Sequence, residues 1–234
     1  MKPRLFIHIG THKTGSTAIQ RAFLHGAEGL VRLCYKENIL KPTWDAEDAK
    51  NLSAQLLYQV RPCKAQRYLL SNEGFSGDPL DGYADAAVMA KRVRDVTGGF
   101  VPTIVVFLRR QDDFIESMYT QKIHEGGAQS FPEFMEVMHA DKLNWHRLLE
   151  AYAAEFGKDN MVVRRYHADF YPKPESLLID FCEIVGVSPT DVMEKKALPC
   201  PIVAIQEMHL RWRGCAIRSW MQVVRSIFVR SCKR

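Results

Sequence analysis

A chain of 234 residues with 47% hydrophobic and 25% charged residues has the size and balance of one globular domain with a proper core. No apolar run approaches the roughly 20 residues that span a bilayer, which excludes a membrane-spanning class. The net charge of +5 is unevenly placed: residues 208–234 hold seven Arg and Lys and no Asp or Glu, while the rest, with 25 basic and 27 acidic residues, is close to neutral and offers no nucleic-acid-binding patch.

In chain order, Arg4 to Ile9 is a short apolar run closed by Gly10, the pattern of a buried strand rather than of a signal peptide. Gly10 to Ser16 is a loop of small and hydroxylated residues around one lysine, Lys13. From Thr17 on, Ile19, Phe23 and Leu24 recur at helical spacing, and Ser16 or Thr17 is placed to cap the first turn. A strand, a glycine-containing loop and a helix start bring free N–H groups and the positive end of a helix dipole to one point, which is how a chain builds an anion site.

Leu30 to Trp44 reads as irregular and as a wall for a substrate site. Asp45 to Val60 reads as a helix with acids in its first turn, and Arg67 to Ser71 as a short strand ending at Asn72, Glu73 and Gly74. A helix from about Tyr83 to Val96 follows, then a strand over Thr103–Leu108 and a helix from about Gln111 to Glu125. Ser130 and Glu133 make a capping-box start for a helix to about His139. Asp141–Phe156 and Pro174–Val185 are amphipathic helices stopped by Gly157 and Gly186, with a strand over Met161–Arg165 between them. Strands alternating with helices predict a parallel sheet covered on both faces, an α/β fold of three α/β/α layers. Ligands in such folds bind beyond the C-terminal ends of strands, where Gly10–Thr17, Asn72-Glu73 and Arg109 all fall.

The first loop departs from a Walker A motif in an informative way. Gly10 and Gly15 have the G-x-x-x-x-G spacing, but Ser16 stands where the lysine belongs, and Lys13 lies inside the loop. The strand over Thr103–Leu108 runs into Arg109-Arg110 rather than the acid that would hold Mg²⁺. A phosphate cradle without that acid points to a nucleotide whose transferred group needs no metal.

HKTGST resembles the 5′-phosphosulfate loop of the sulfotransferases that use 3′-phosphoadenosine 5′-phosphosulfate (PAPS). Arg109 with Ser117 eight residues later, in LRRQDDFIESMYTQ, is similar to that family's 3′-phosphate motif, and SMYTQ is most similar to the glycan-modifying branch. Val162–Val187 resembles the family's later strand, loop and helix. The resemblance covers roughly residues 4–187 and implies a P-loop NTPase-like fold, PAPS as co-substrate with PAP released, no metal, and a hydroxyl acceptor on a carbohydrate or glycolipid.

It also implies roles. Lys13 would neutralise charge on the leaving phosphate, and Thr14, Gly15, Ser16 and Thr17, with His12 beside them, would hold the 5′-phosphate. Arg109 and Ser117 would hold the 3′-phosphate, with Arg110 as a substitute for Arg109; the other reading of Arg109 is a structural ion pair with Asp112 or Asp113. Glu73 and Glu37 are both candidates for the general base: Glu73 follows a strand end, and Glu37 has the spacing from the lysine seen in glycan branches. His12 could reach the acceptor or simply pack, His124 is a further candidate, and His8, mid-strand, reads as structural. A P-loop kinase with a displaced lysine and a non-catalytic nucleotide-binding relative remain as alternatives.

The sulfotransferase-like domain is expected over residues 1–210 and a basic amphipathic helix over 211–234, packed on the domain or touching a membrane surface. Six scattered cysteines without a C-x-x-C pair suit free thiols in the cytoplasm rather than a metal site. A small-molecule or glycan acceptor is the expected partner.

Overall fold

Apolar side chains on both faces of a strand demand cover on both sides. The first strand obeys this: Leu5, Phe6 and Ile7 are all buried, and so are Ile104 through Phe107 further on. A computed structural model describes residues 2–35, 38–61, 65 and 67–194; Glu37 and the stretch 211–234 lie outside the described residues. Five strands, β1 (Arg4–His8), β2 (Leu30–Arg32), β3 (Arg67–Ser71), β4 (Val101–Arg109) and β5 (Met161–Tyr166), form one parallel sheet ordered β2–β3–β1–β4–β5.

The helices are α1 (Ser16–Ala22), α2 (Ala46–Val60), α3 (Ala86–Thr97), α4 (Gln111–His124), α5 (Phe131–Val137), α6 (Trp145–Phe156), α7 (Pro174–Val185) and α8 (Pro189–Met193). One face of the sheet, through Phe6, Leu69, Val105 and Phe107, packs on Ile19 of α1, Phe23 just after it, Phe181 of α7 and Val192 of α8. The alternate residues point to the other face, where α3 packs against both α2 and α6. The expected three-layer α/β/α arrangement is therefore present. β1 lies at the centre: the chain first builds outward to β2 and β3 and then crosses to β4, so the order reverses at β1. A reversal of this kind opens a crevice beyond the strand ends.

Several boundaries differ from the sequence reading, each for a local reason. Leu30–Arg32, read as irregular, is an edge strand paired with β3; three residues are too few to show a period. α3 starts at Ala86 instead of Tyr83 because Tyr83 holds φ of 59°, which no helix accepts. α6 starts at Trp145 instead of Asp141 because the Asn144 side chain accepts from the Arg147 N–H at 3.1 Å and caps the helix there. α5 ends at Val137 rather than near His139, and β4 begins two residues early, at Val101, extending its pairing with β1. Elsewhere the local signals hold. Asp45 and Asp48 form a reciprocal capping box on α2, Glu133 accepts from the Ser130 N–H at 2.7 Å, and Gly186 stops α7 with φ of 71°.

Candidate active site

The loop after β1 is built to stay open. Gly10 and Gly15 take φ of 26° and 79°, and Lys13, which is not glycine, takes 64°. A Cβ on Gly10 would stand 2.5 Å from Ser16 Oγ, so only glycine lets the loop close on itself there. The hydroxyl of Thr11 donates to Phe107 O at 2.7 Å, and that of Thr14 donates to Thr11 O at 2.6 Å. Both threonines are buried, so Thr14, expected to offer its hydroxyl to a phosphate, instead spends its donor on the loop's own backbone. The N-cap of α1 is Gly15, in the left-handed conformation and with no side-chain cap, rather than Ser16 or Thr17. This frees the side chain of the exposed Thr17, while Ser16 Oγ reaches Thr11 O only at 3.5 Å.

A cavity of about 400 Å³ lies against this loop, lined by His12, Lys13, Gly15, Ser16 and Thr17, by Glu73 after β3, by Arg109 at the end of β4, and by Ser117 on α4. Residues from three separated stretches thus meet at one place, at the C-terminal ends of three strands. Gln121 and Tyr166 complete the lining, and the sequence reading missed both. Gln121 is one turn after Ser117 on the same helix face, and Tyr166 is the last residue of β5; the helical period and the strand-end rule were the available signals. Lys13 Nζ donates to Gln121 Oε1 at 3.0 Å.

Arg109 has no carboxylate partner among the described residues; its Nη1 reaches Lys13 O at 3.4 Å, and its own carbonyl accepts from Trp145 Nε1 at 2.8 Å. The structural ion pair considered for Arg109 belongs to its neighbour: Arg110 Nε donates to Asp112 Oδ1 at 3.0 Å. Arg110 is thereby taken, and Arg109 is left as the cation facing the cavity. His124 sits exposed in the last turn of α4, outside this cavity.

Glu73 opens a short 3-10 turn, Glu73–Ser76, whose first N–H groups are organised by Asn72: its Oδ1 accepts from Gly74 N at 2.8 Å, and its Nδ2 donates to the Tyr35 hydroxyl at 2.5 Å. Partial burial pushes the Glu73 carboxyl above the ordinary carboxylate value, with Lys13 opposing. His12 Nε2 lies 4.0 Å from Glu73 Oε2. Burial pushes the His12 imidazole down, helped by Lys13 and opposed by Asp78. A second cavity of about 510 Å³ meets the first at His12, with Asp78, Asp85, Leu40 and Met89 in its wall. Two cavities that share one residue, beside a carboxylate with a raised pKa, give the geometry of a group-transfer site.

The cradle fits a phosphorylated nucleotide. It combines left-handed glycines, an uncommitted arginine and a lysine at its lip; a Cβ at Gly10 would close part of it.

No family model and no curated protein sequence matches this chain. Among solved structures it is similar to a sulfotransferase from Alicyclobacillus acidocaldarius, at 18% identity and a TM-score of 0.53, over 81% of this chain and 83% of that one. It is also similar to mouse sulfotransferase SULT7A1 complexed with PAP, at 10% identity and a TM-score of 0.47, over 80% of this chain and 60% of that one. The first of these likenesses shows the fold: the chain has the sulfotransferase fold.

Proposed function

We propose that the protein is a PAPS-dependent sulfotransferase that moves a sulfuryl group to an acceptor hydroxyl, on a carbohydrate or glycolipid, and releases PAP. The observation that carries this reading is the convergence of Lys13, Arg109, Ser117 and Glu73 on one cavity of a sulfotransferase fold. PAPS supplies the sulfuryl group. Lys13 and the loop from Gly15 to Thr17 hold the 5′-phosphate and neutralise the charge that grows on it as the leaving group. Arg109 and Ser117 hold the 3′-phosphate, Arg109 by a charge-assisted contact that no carboxylate among the described residues competes for. Glu73 takes the acceptor proton, and its raised pKa suits a base working near neutral pH.

The second cavity supports a hydroxylated acceptor. Asp78 and Asp85 can accept hydrogen bonds from sugar hydroxyls, and Leu40 and Met89 offer an apolar surface beside them. Cys34 and Cys182 are unpaired, which supports a reducing compartment such as the cytoplasm.

The test is to incubate the full chain with PAPS carrying labelled sulfur and a panel of alkyl glycosides, glycolipids, phenols and simple alcohols. Transfer of label with release of PAP, lost in Lys13→Ala, is the expected result. Absence of transfer to every acceptor, together with phosphate transfer from Mg·ATP to the same panel, would promote the kinase reading instead.

A further inference from the structure

His12 is held from two sides, and the two contacts point to one position for its ring proton. On one side the hydroxyl of Tyr83 lies 3.1 Å from the His12 amide N and 3.1 Å from its Nδ1. The amide can only donate, so it occupies one lone pair of the Tyr83 oxygen, which has a single proton to give. On the other side Nε2 faces Glu73 Oε2. If Tyr83 gives its proton to Nδ1, the imidazole proton sits on Nε2 and an N–H is turned toward the carboxylate. In the reverse arrangement His12 donates from Nδ1 to Tyr83, and Tyr83 must turn its proton to the adjacent Ser76. His12 Nε2 would then aim a lone pair at Glu73, acceptor against acceptor. The first arrangement hydrogen-bonds Tyr83 to Nδ1 and turns an N–H rather than a lone pair toward Glu73 Oε2, 4.0 Å away, while Ser76 Oγ keeps its own acceptor in Glu73 O at 2.7 Å.

We propose that Tyr83 is a positioning residue whose hydroxyl fixes His12 as the Nε2–H tautomer, so that His12 serves as a neutral hydrogen-bond donor where the two cavities meet and Glu73 is left as the base. The roles in this statement rest on the sulfuryl-transfer reading; the tautomer does not.

The fold commits to Tyr83 in ways that a packing residue would not need. Tyr83 is 1% exposed and holds φ of 59° directly after Gly82, also at 59°. Side chains other than glycine rarely adopt that region. Its ring packs against Phe114 and Trp145, with centroids 6.0 and 5.7 Å away. Trp145 in turn donates its Nε1–H to the carbonyl of Arg109. One aromatic block therefore holds both ends of the donor cavity, His12 through Tyr83 and Arg109 through Trp145. The charged groups facing the imidazole are Glu73, Asp78 and Lys13; Asp78 favours its protonation, and burial, helped by Lys13, outweighs Asp78 and holds its pKa down.

The test reads the proton directly. Two-bond ¹H–¹⁵N correlation spectra of the full chain, with the His12 signals assigned by His12→Gln, show a protonated Nε2 and a bare Nδ1 at neutral pH. In Tyr83→Phe the ring and its packing stay, the hydroxyl is gone, and the His12 signals move to a mixture of tautomers. Turnover falls about tenfold, one hydrogen bond's worth, while PAP affinity is unchanged. A bare Nε2 in the native chain, or spectra that Tyr83→Phe does not move, overturns the assignment. The native spectrum decides the tautomer even if Tyr83→Phe melts early. It needs no turnover, so failure of the sulfuryl-transfer reading and failure of this one give different results.

Discussion

Glu73 and His12 lie side by side, and burial moves their pKa values in opposite senses, the carboxyl up and the imidazole down. A base with a raised pKa is half-titrated at a higher pH than an ordinary carboxylate, so the rate should rise with pH as Glu73 loses its proton and then level off. In a profile of kcat/KM against pH, the acid limb is expected above the ordinary carboxylate value of 4.5. Glu73→Gln should remove that limb and lower kcat by about 10²–10⁴-fold with PAP affinity retained. An unaltered limb in Glu73→Gln would move the role of base to another group, and Glu37 is the one to try next.

At the scale of elements, the start of α1 carries two demands at once. Gly15 caps the helix in the left-handed conformation, with φ of 79°, and also forms the wall of the cavity. In Gly15→Ala the new Cβ meets the end of the Leu177 side chain, which can move aside, and a backbone conformation that alanine resists, which cannot. The expected result is a loss of about 1–2 kcal/mol in denaturant unfolding, together with weaker PAP binding; unchanged unfolding would show that the loop relaxes to another conformation. β3 and α7 match their expected ranges residue for residue, because a strand ending in a turn cluster and a helix framed by Pro174 and Gly186 declare both their ends. Arg109 and Ser117 were legible as a spacing, and the structure brings both to the loop of Lys13. β2 was hidden by its length. Tyr83 was hidden because its left-handed φ follows from the packing of Phe114 and Trp145, which no local pattern announces. The inward turn of Thr14 depends on the Thr11 carbonyl three residues back, and a motif gives residue types without their partners.

At the scale of the whole molecule, the sheet's central strand ends in a buried titratable group. His8 is 0% exposed, between Phe107 and Phe181, with Nδ1 2.8 Å from Ser71 Oγ and no hydrogen-bond partner for Nε2 among the described residues. Burial pushes its imidazole down from 6.5 to about 3. Between those values the unfolded chain binds a proton that the folded chain refuses. The stability that His8 allows is therefore complete above pH 6.5 and declines as pH falls toward 3, by up to about 1.4 kcal/mol per pH unit. Unfolding followed across that window should show this slope, and His8→Asn, which keeps a polar partner for Ser71 and cannot titrate, should flatten it. An equal slope in both proteins would assign acid sensitivity to other groups.

The crevice at the reversal of the sheet is proposed as a nucleotide site with one end for a 5′-phosphate and another for a 3′-phosphate. Its most direct test is calorimetric titration of the full chain with PAP and with adenosine 5′-monophosphate, which lacks the 3′-phosphate, for the native protein and for Arg109→Ala. The native protein should prefer PAP by a charge-assisted contact, about 1.5–3 kcal/mol or roughly 10–150-fold, and Arg109→Ala should bind both nucleotides with nearly the weaker affinity. Equal binding of the two nucleotides by the native protein, or a preference for PAP that survives in Arg109→Ala, would contradict it.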